Sequence, residues 1–106
     1  MEPSYLLDLE SKIIAALKTV YDPEIPVNIY DLGLIYNLDV ADNGDITITM
    51  TLTAPNCPMA DFLVWETREK TEAIEGVGNV TVDLVFDPPW GRERMSDEAL
   101  LELGML

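Results

Sequence analysis

Two alternating runs that meet at Asn43-Gly44 do most to fix what this chain can fold into. Leu34, Tyr36, Leu38 and Val40 alternate with Ile35, Asn37 and Asp39, the period of a half-buried strand. Ile46, Ile48, Met50 and Leu52 share one face of a return strand, and Thr47, Thr49, Thr51 and Thr53 form the other. Asn43-Gly44 lies within Ala41-Asp42-Asn43-Gly44-Asp45 and signals a tight hairpin, because a primed turn needs positive φ.

Helices flank this hairpin in the sequence. Leu6, Leu9, Ile13, Leu17 and Val20 recur at three- and four-residue spacings, which predicts a helix from Ser4 to Val20. Ile14 and Tyr21 broaden its stripe, and Asp22-Pro23 stops it. A second helix is expected from about Pro58 to Ile74, with Met59, Phe62, Leu63 and Ile74 inward. On that helix Arg68, Glu69, Lys70 and Glu72 face water. Val80, Val82, Leu84 and Phe86 alternate as a third strand, ended by Asp87-Pro88-Pro89. Ser96 caps a last short helix, Asp97 and Glu98 complement its dipole, and Gly104 closes it.

The order α-β-β-α-β-α predicts an α+β fold, a small two-layer sandwich. A three-stranded mixed sheet carries its helices on one face, within a single domain spanning residues 1–106. If the second and third strands are parallel, their crossover is right-handed. Apolar sheet edges that pair between subunits predict a homodimer.

Composition excludes more function than it suggests. Twenty acidic residues against six basic ones give a net charge of −14, a field that repels phosphate backbones and argues against nucleic acid. The acid serves solubility or draws a basic partner. No run approaches membrane-spanning length and no signal peptide is evident, so a cytoplasmic protein without membrane association is expected. With one cysteine there is no internal disulfide, no CxxC pair and no all-cysteine zinc site. Without histidine, Ser-His and Cys-His nucleophile pairs are also gone.

Three stretches remain as candidates for chemistry. The connection Asp22 to Gly33 is long and holds Asp22, Glu24 and Asp31 beside Pro23 and Pro26. Those acids either cap turns or face a functional pocket, and carboxylates of this kind also suit a hard cation. Cys57, between Pro55 and Pro58, falls where strand gives way to helix, and a thiol at a helix start is biased toward thiolate. Thr53 ends the strand on its polar face, where its hydroxyl can meet that thiol, while Asp61 opposes thiolate formation. The alternative is a small buried cysteine with no chemistry. Trp90, after Asp87-Pro88-Pro89, either packs over the sheet end or forms part of a binding surface.

Taken together, these stretches resemble the SufT/PaaD-like family of metal–sulfur cluster biosynthesis proteins. The resemblance rests on Asp22-Pro23-Glu24, Tyr30 through Tyr36, Met50 through Thr53 with Pro55 and Cys57-Pro58, Val82 through Trp90, Met95 through Glu98, and Leu103-Gly104-Met105. It implies a compact α/β domain that assists maturation of iron–sulfur proteins, with Cys57 as the functional thiol. It further implies that Asp22, Glu24, Asp31 and Thr53 line one small pocket. Relatives serving phenylacetate degradation carry an added cysteine-rich C-terminal segment. This chain ends at Leu106 without one, which favours the general maturation branch.

The expected function is that of an accessory or carrier factor rather than an enzyme, with iron–sulfur assembly proteins and apo-clients as partners. One thiolate cannot complete four-cysteine cluster ligation, so transient contact of Cys57 with iron or a cluster is expected, and no stably bound cofactor. The alternative is an adaptor that recruits clients while the cysteine is incidental.

Overall fold

The computed structural model describes residues 3–22, 25–53 and 60–104 of the chain. Its elements run α1 (Pro3–Leu17), β1 (Ile35–Val40), β2 (Ile46–Met50), α2 (Ala60–Glu72), β3 (Val80–Leu84), a 3-10 turn (Arg92–Arg94) and α3 (Asp97–Glu102). This is the expected α-β-β-α-β-α order. The strands form one mixed sheet in the order β1-β2-β3, antiparallel across the hairpin and parallel between β2 and β3.

The buried apolar residues form one cluster. Ile46, Ile48 and Met50 of β2 meet Leu9, Ile13 and Leu17 of α1 and Leu63 of α2 there. Val20, Val27, Ile29, Leu32 and Leu34 bring the long connection into the same core. A fully buried aliphatic side chain stabilises by about 1.5–3 kcal/mol, so this connection is a substantial part of the core. Asn37, Asp39, Thr81 and Asp83 are exposed on the edge strands. No helix among the described residues is long and apolar enough to cross a membrane.

Several local expectations are corrected. The hairpin turn has positive φ only at Gly44 (φ 92), not at Asn43. Gly44 N–H donates to the Ala41 carbonyl at 2.9 Å, and Ala41 N–H donates to the Asp45 carbonyl at 2.9 Å. A turn followed by a left-handed glycine therefore replaces the primed turn, leaving three residues between the closing pair. The β1–β2 register shifts between Ile35 and Asn37. The extra residue puts Ile35 opposite Met50 against the core and breaks the simple Leu34-Tyr36-Leu38 alternation.

The first helix ends at Leu17, before the expected Val20, and Tyr21 is 55% exposed because it lies in an isolated bridge to Asn28. On α2 the inward line is Leu63, Thr67 and Thr71, so Phe62 stands 48% exposed beside Trp65. Arg68 is half-buried rather than open to water. The third strand stops at Leu84, and Phe86 leaves the sheet. Met59 and Pro58 lie outside the described residues. The capping of α3 is as expected: Ser96 Oγ accepts from Ala99 N–H at 3.1 Å, and Gly104 takes φ 72.

Candidate functional site

Beyond the carboxyl ends of the parallel strands β2 and β3 lies a hollow of about 160 Å³, lined by Thr51, Leu52, Thr53, Phe86, Pro89 and Trp90. The first three residues follow β2 directly, and the last three follow β3. Chain leaving adjacent parallel strands in different directions opens a crevice at this end of a sheet, the usual place for ligands in such folds.

The walls are held from behind. Trp90 Nε1 donates to the Leu32 carbonyl at 2.6 Å, which fixes the indole against the end of the long connection. Tyr36 hydroxyl donates to the Pro88 carbonyl at 2.7 Å, and the Arg94 guanidinium lies 4.4 Å from the Tyr36 ring centroid. The proline wall thus rests on a tyrosine that is itself covered by a cation. Thr51 N–H donates to the Leu34 carbonyl at 2.9 Å, continuing the β1–β2 pairing one step beyond the strand. Thr51 is nearly inaccessible, at 1% exposure, and its hydroxyl has no hydrogen-bond partner among the described residues.

The acids of the long connection have identifiable local work. Asp22 is buried, and its Oδ1 accepts from the Ile25 N–H at 2.9 Å. Asp31 is buried as well. Its Oδ2 accepts from Asn28 Nδ2 at 2.8 Å, while its Oδ1 accepts from Ser96 Oγ at 3.0 Å. Asp31 N–H donates to Asn28 Oδ1 at 2.9 Å, and the Asp31 carbonyl accepts from Ser96 N–H at 2.8 Å. Asp31 therefore ties the connection to the N-terminus of α3 through the residue that caps that helix. Neither Asp22 nor Asp31 lines the hollow; Thr53 and Trp90 do. Glu24 and Cys57 lie outside the described residues.

This arrangement makes a stability prediction. Asp31→Ala removes two acceptor oxygens and leaves Asn28 and Ser96 without their buried partner, an expected loss of about 2 kcal/mol. Asp31→Asn keeps one acceptor and is expected to recover part of that loss. Denaturant unfolding of both variants checks it, and equal stability of Asp31→Ala and the wild type contradicts it.

Sequence reasoning reached Thr53 and Trp90 but missed Thr51, Leu52, Phe86 and Pro89 as lining. The available signal was the position of two segments, each directly after an alternating run. Which pair of strands is parallel decides whether those segments meet.

A family model described as an iron–sulfur cluster assembly protein matches residues 10–82. The chain is 59% identical over 100 residues to the Fe-S protein maturation auxiliary factor of Porphyromonas gingivalis, spanning 94% of this chain and 95% of that protein. It is 40% identical over 97 residues to the Fe-S protein maturation auxiliary factor YitW of Bacillus subtilis, spanning 92% and 95%. A crystal structure of a domain of unknown function from Bacillus anthracis matches with a TM-score of 0.88 at 36% identity, covering 99% of this chain and 100% of that one.

Proposed function

Because this chain belongs to the iron–sulfur cluster assembly protein family, we propose that it carries iron or a cluster transiently to client proteins through the Cys57 thiol. Its role is that of an accessory factor in iron–sulfur cluster assembly. The cluster is cargo rather than a resident group, and the chain works without catalysing a reaction of its own. Its partners are cluster donors and apo-clients, and its place of work is the cytoplasm.

The observation that carries this reading is the family match across residues 10–82, a range that includes Cys57. Two chemical arguments give it form. Thiolate is a soft ligand suited to iron–sulfur clusters, and this chain offers one such group. A cluster held by four cysteines therefore needs ligands from elsewhere, and the client that receives it is the natural source. Shared ligation of this kind favours passage over storage.

The hollow supports the same reading by its position along the chain. Thr53 lines it, and Cys57 follows four residues later, a tether of at most about 14 Å. A client seated at the hollow is thus within reach of the segment that bears the thiol. The test is cluster transfer from a purified donor to an apo-client, followed by client absorbance and activity. With the chain present, maturation is expected to be faster than with donor alone. An unchanged rate and yield at every ratio of chain to client contradicts the carrier reading.

A further inference from the structure

Phe62 and Trp65 stand on α2 with 48% and 54% of their surface exposed, outside both the core and the hollow. Their ring centroids lie 6.1 Å apart at 36°, so neighbouring positions on one helix carry a joined aromatic patch. Carboxylates surround it. With 3.6 residues per turn, Asp61, Phe62, Trp65, Glu69 and Glu72 share an arc of about 100°. Asp61 lies four residues before Trp65 and Glu69 four residues after it, so both acids flank the indole. Asp61, Glu69 and Glu72 are exposed, and none has a hydrogen bond or ion pair among the described residues. Arg68 borders the arc with its Nε buried, and Lys70 lies round the helix from it.

The needs of the folded chain do not account for this face. Asp61 complements the dipole in the first turn of α2. Glu69 and Glu72 lie in the last turn, where the same dipole disfavours negative charge. The two half-exposed rings also leave apolar surface in water that the fold does not bury.

From this we propose that the outer face of α2 docks a basic segment of a partner protein, with an arginine stacked on the Trp65 indole between Asp61 and Glu69. A guanidinium is planar, stacks on aromatic faces and pairs with carboxylates, so one arginine engages the ring and both acids. Its aliphatic stem covers the neighbouring Phe62 ring. Charge selects this occupant over others. A second copy brings the same net charge of −14 and the same acids, which opposes self-pairing through this face. A basic segment is drawn in by that field. The rings stand on open helix surface rather than in the hollow, so a small cation finds too little contact there to bind tightly. This surface goes beyond the carrier reading, since it requires neither a cluster nor Cys57.

The experiment titrates the full chain with a short blocked peptide of alternating glycine and arginine. Calorimetry and the Trp65 Nε1–H resonance follow the binding, which is expected to saturate. Trp65→Ala is expected to weaken it about two- to fivefold, the worth of an exposed cation–π contact. Asp61→Asn combined with Glu69→Gln is expected to weaken it about fivefold. Asp39→Asn combined with Asp83→Asn removes equal charge from the sheet face turned away from the helices. That pair is expected to change the affinity less than about twofold, because screening confines the effect to nearby acids. All five positions are exposed, so every variant keeps its fold. Equal losses from the two charge-matched pairs overturn the site and leave only the general field of the chain. Wild-type affinity in Trp65→Ala overturns the aromatic contact. Spermine binding as tightly as the peptide overturns a protein as the source, and a dimer that Trp65→Ala dissociates assigns the face to a second copy. Cys57→Ser is expected to bind the peptide as the wild type does, so failure of the thiol reading and failure of this one give different results.

Discussion

Replacing Cys57 with serine is expected to lower client maturation to the rate measured without the chain, while the fold is retained. Serine differs from cysteine by one atom, and the change leaves the surrounding prolines untouched. What it removes is the only thiolate the chain can offer. A serine hydroxyl stays protonated at neutral pH and is a poor match for iron in a sulfide cluster. No other cysteine and no histidine stands ready as a substitute. The loss should therefore be nearly complete rather than partial. Cluster transfer with a purified donor and apo-client measures it, and circular dichroism confirms the fold. Full maturation by Cys57→Ser would remove the thiol from the mechanism and favour the adaptor reading. In that event Trp90→Ala, which alters the wall of the hollow, becomes the variant expected to abolish function.

The parts of this fold that sequence revealed are those governed by local periodicity. Leu9, Ile13 and Leu17 recur on one helical face, and Ile46, Ile48 and Met50 alternate on one strand face. Each pattern has a single reading that buries the apolar side. The inward face of α2 is not legible in this way because two of its residues, Thr67 and Thr71, are polar. Apolar periodicity alone points the helix toward Phe62, one step around from Leu63. Tyr21 continues the helical period in the sequence, but the helix ends at Leu17 and Tyr21 forms a bridge with Asn28 instead.

The site was less legible because its parts meet only through tertiary structure. Asp31 has the composition of a pocket acid, yet its hydrogen bond to Ser96 spans 65 positions and no spacing rule points to it. Trp90 reads equally well as packing or as a binding surface. Its half-buried ring does both, since its N–H is taken by Leu32 while the ring lines the hollow. The orphaned hydroxyl of Thr51 is invisible in a run of alternating threonines, because its neighbours Thr47 and Thr49 are only half-buried.

Gly33→Ala carries the largest expected loss of stability. Gly33 has φ 80, where an L side chain meets its own backbone at a cost of about 1–2 kcal/mol. The surroundings add a second penalty. A Cβ at this position would collide with the carbonyl oxygen of Arg94 and come within 2.8 Å of its carbonyl carbon. Both atoms belong to the backbone, so no rotamer change relieves the contact. The 3-10 turn at Arg92–Arg94 would have to move away from the connection that ends at Gly33, at a further cost of about 1–3 kcal/mol. Together these reach about 2–5 kcal/mol, a lowering of the melting temperature by about 8 °C or more. Gly104→Ala separates the two contributions. Gly104 has φ 72 but no atom of the described residues within 4 Å of an added Cβ, so the backbone penalty alone applies. Its melting temperature is expected to fall by about 4–8 °C, as for roughly 1 kcal/mol in a domain of this size. Comparable losses in the two variants would mean that the Arg94 turn yields freely. A much larger loss at Gly33 would mean that the turn is clamped, and with it the chain that leads from Trp90 at the hollow to the Ser96 cap of α3.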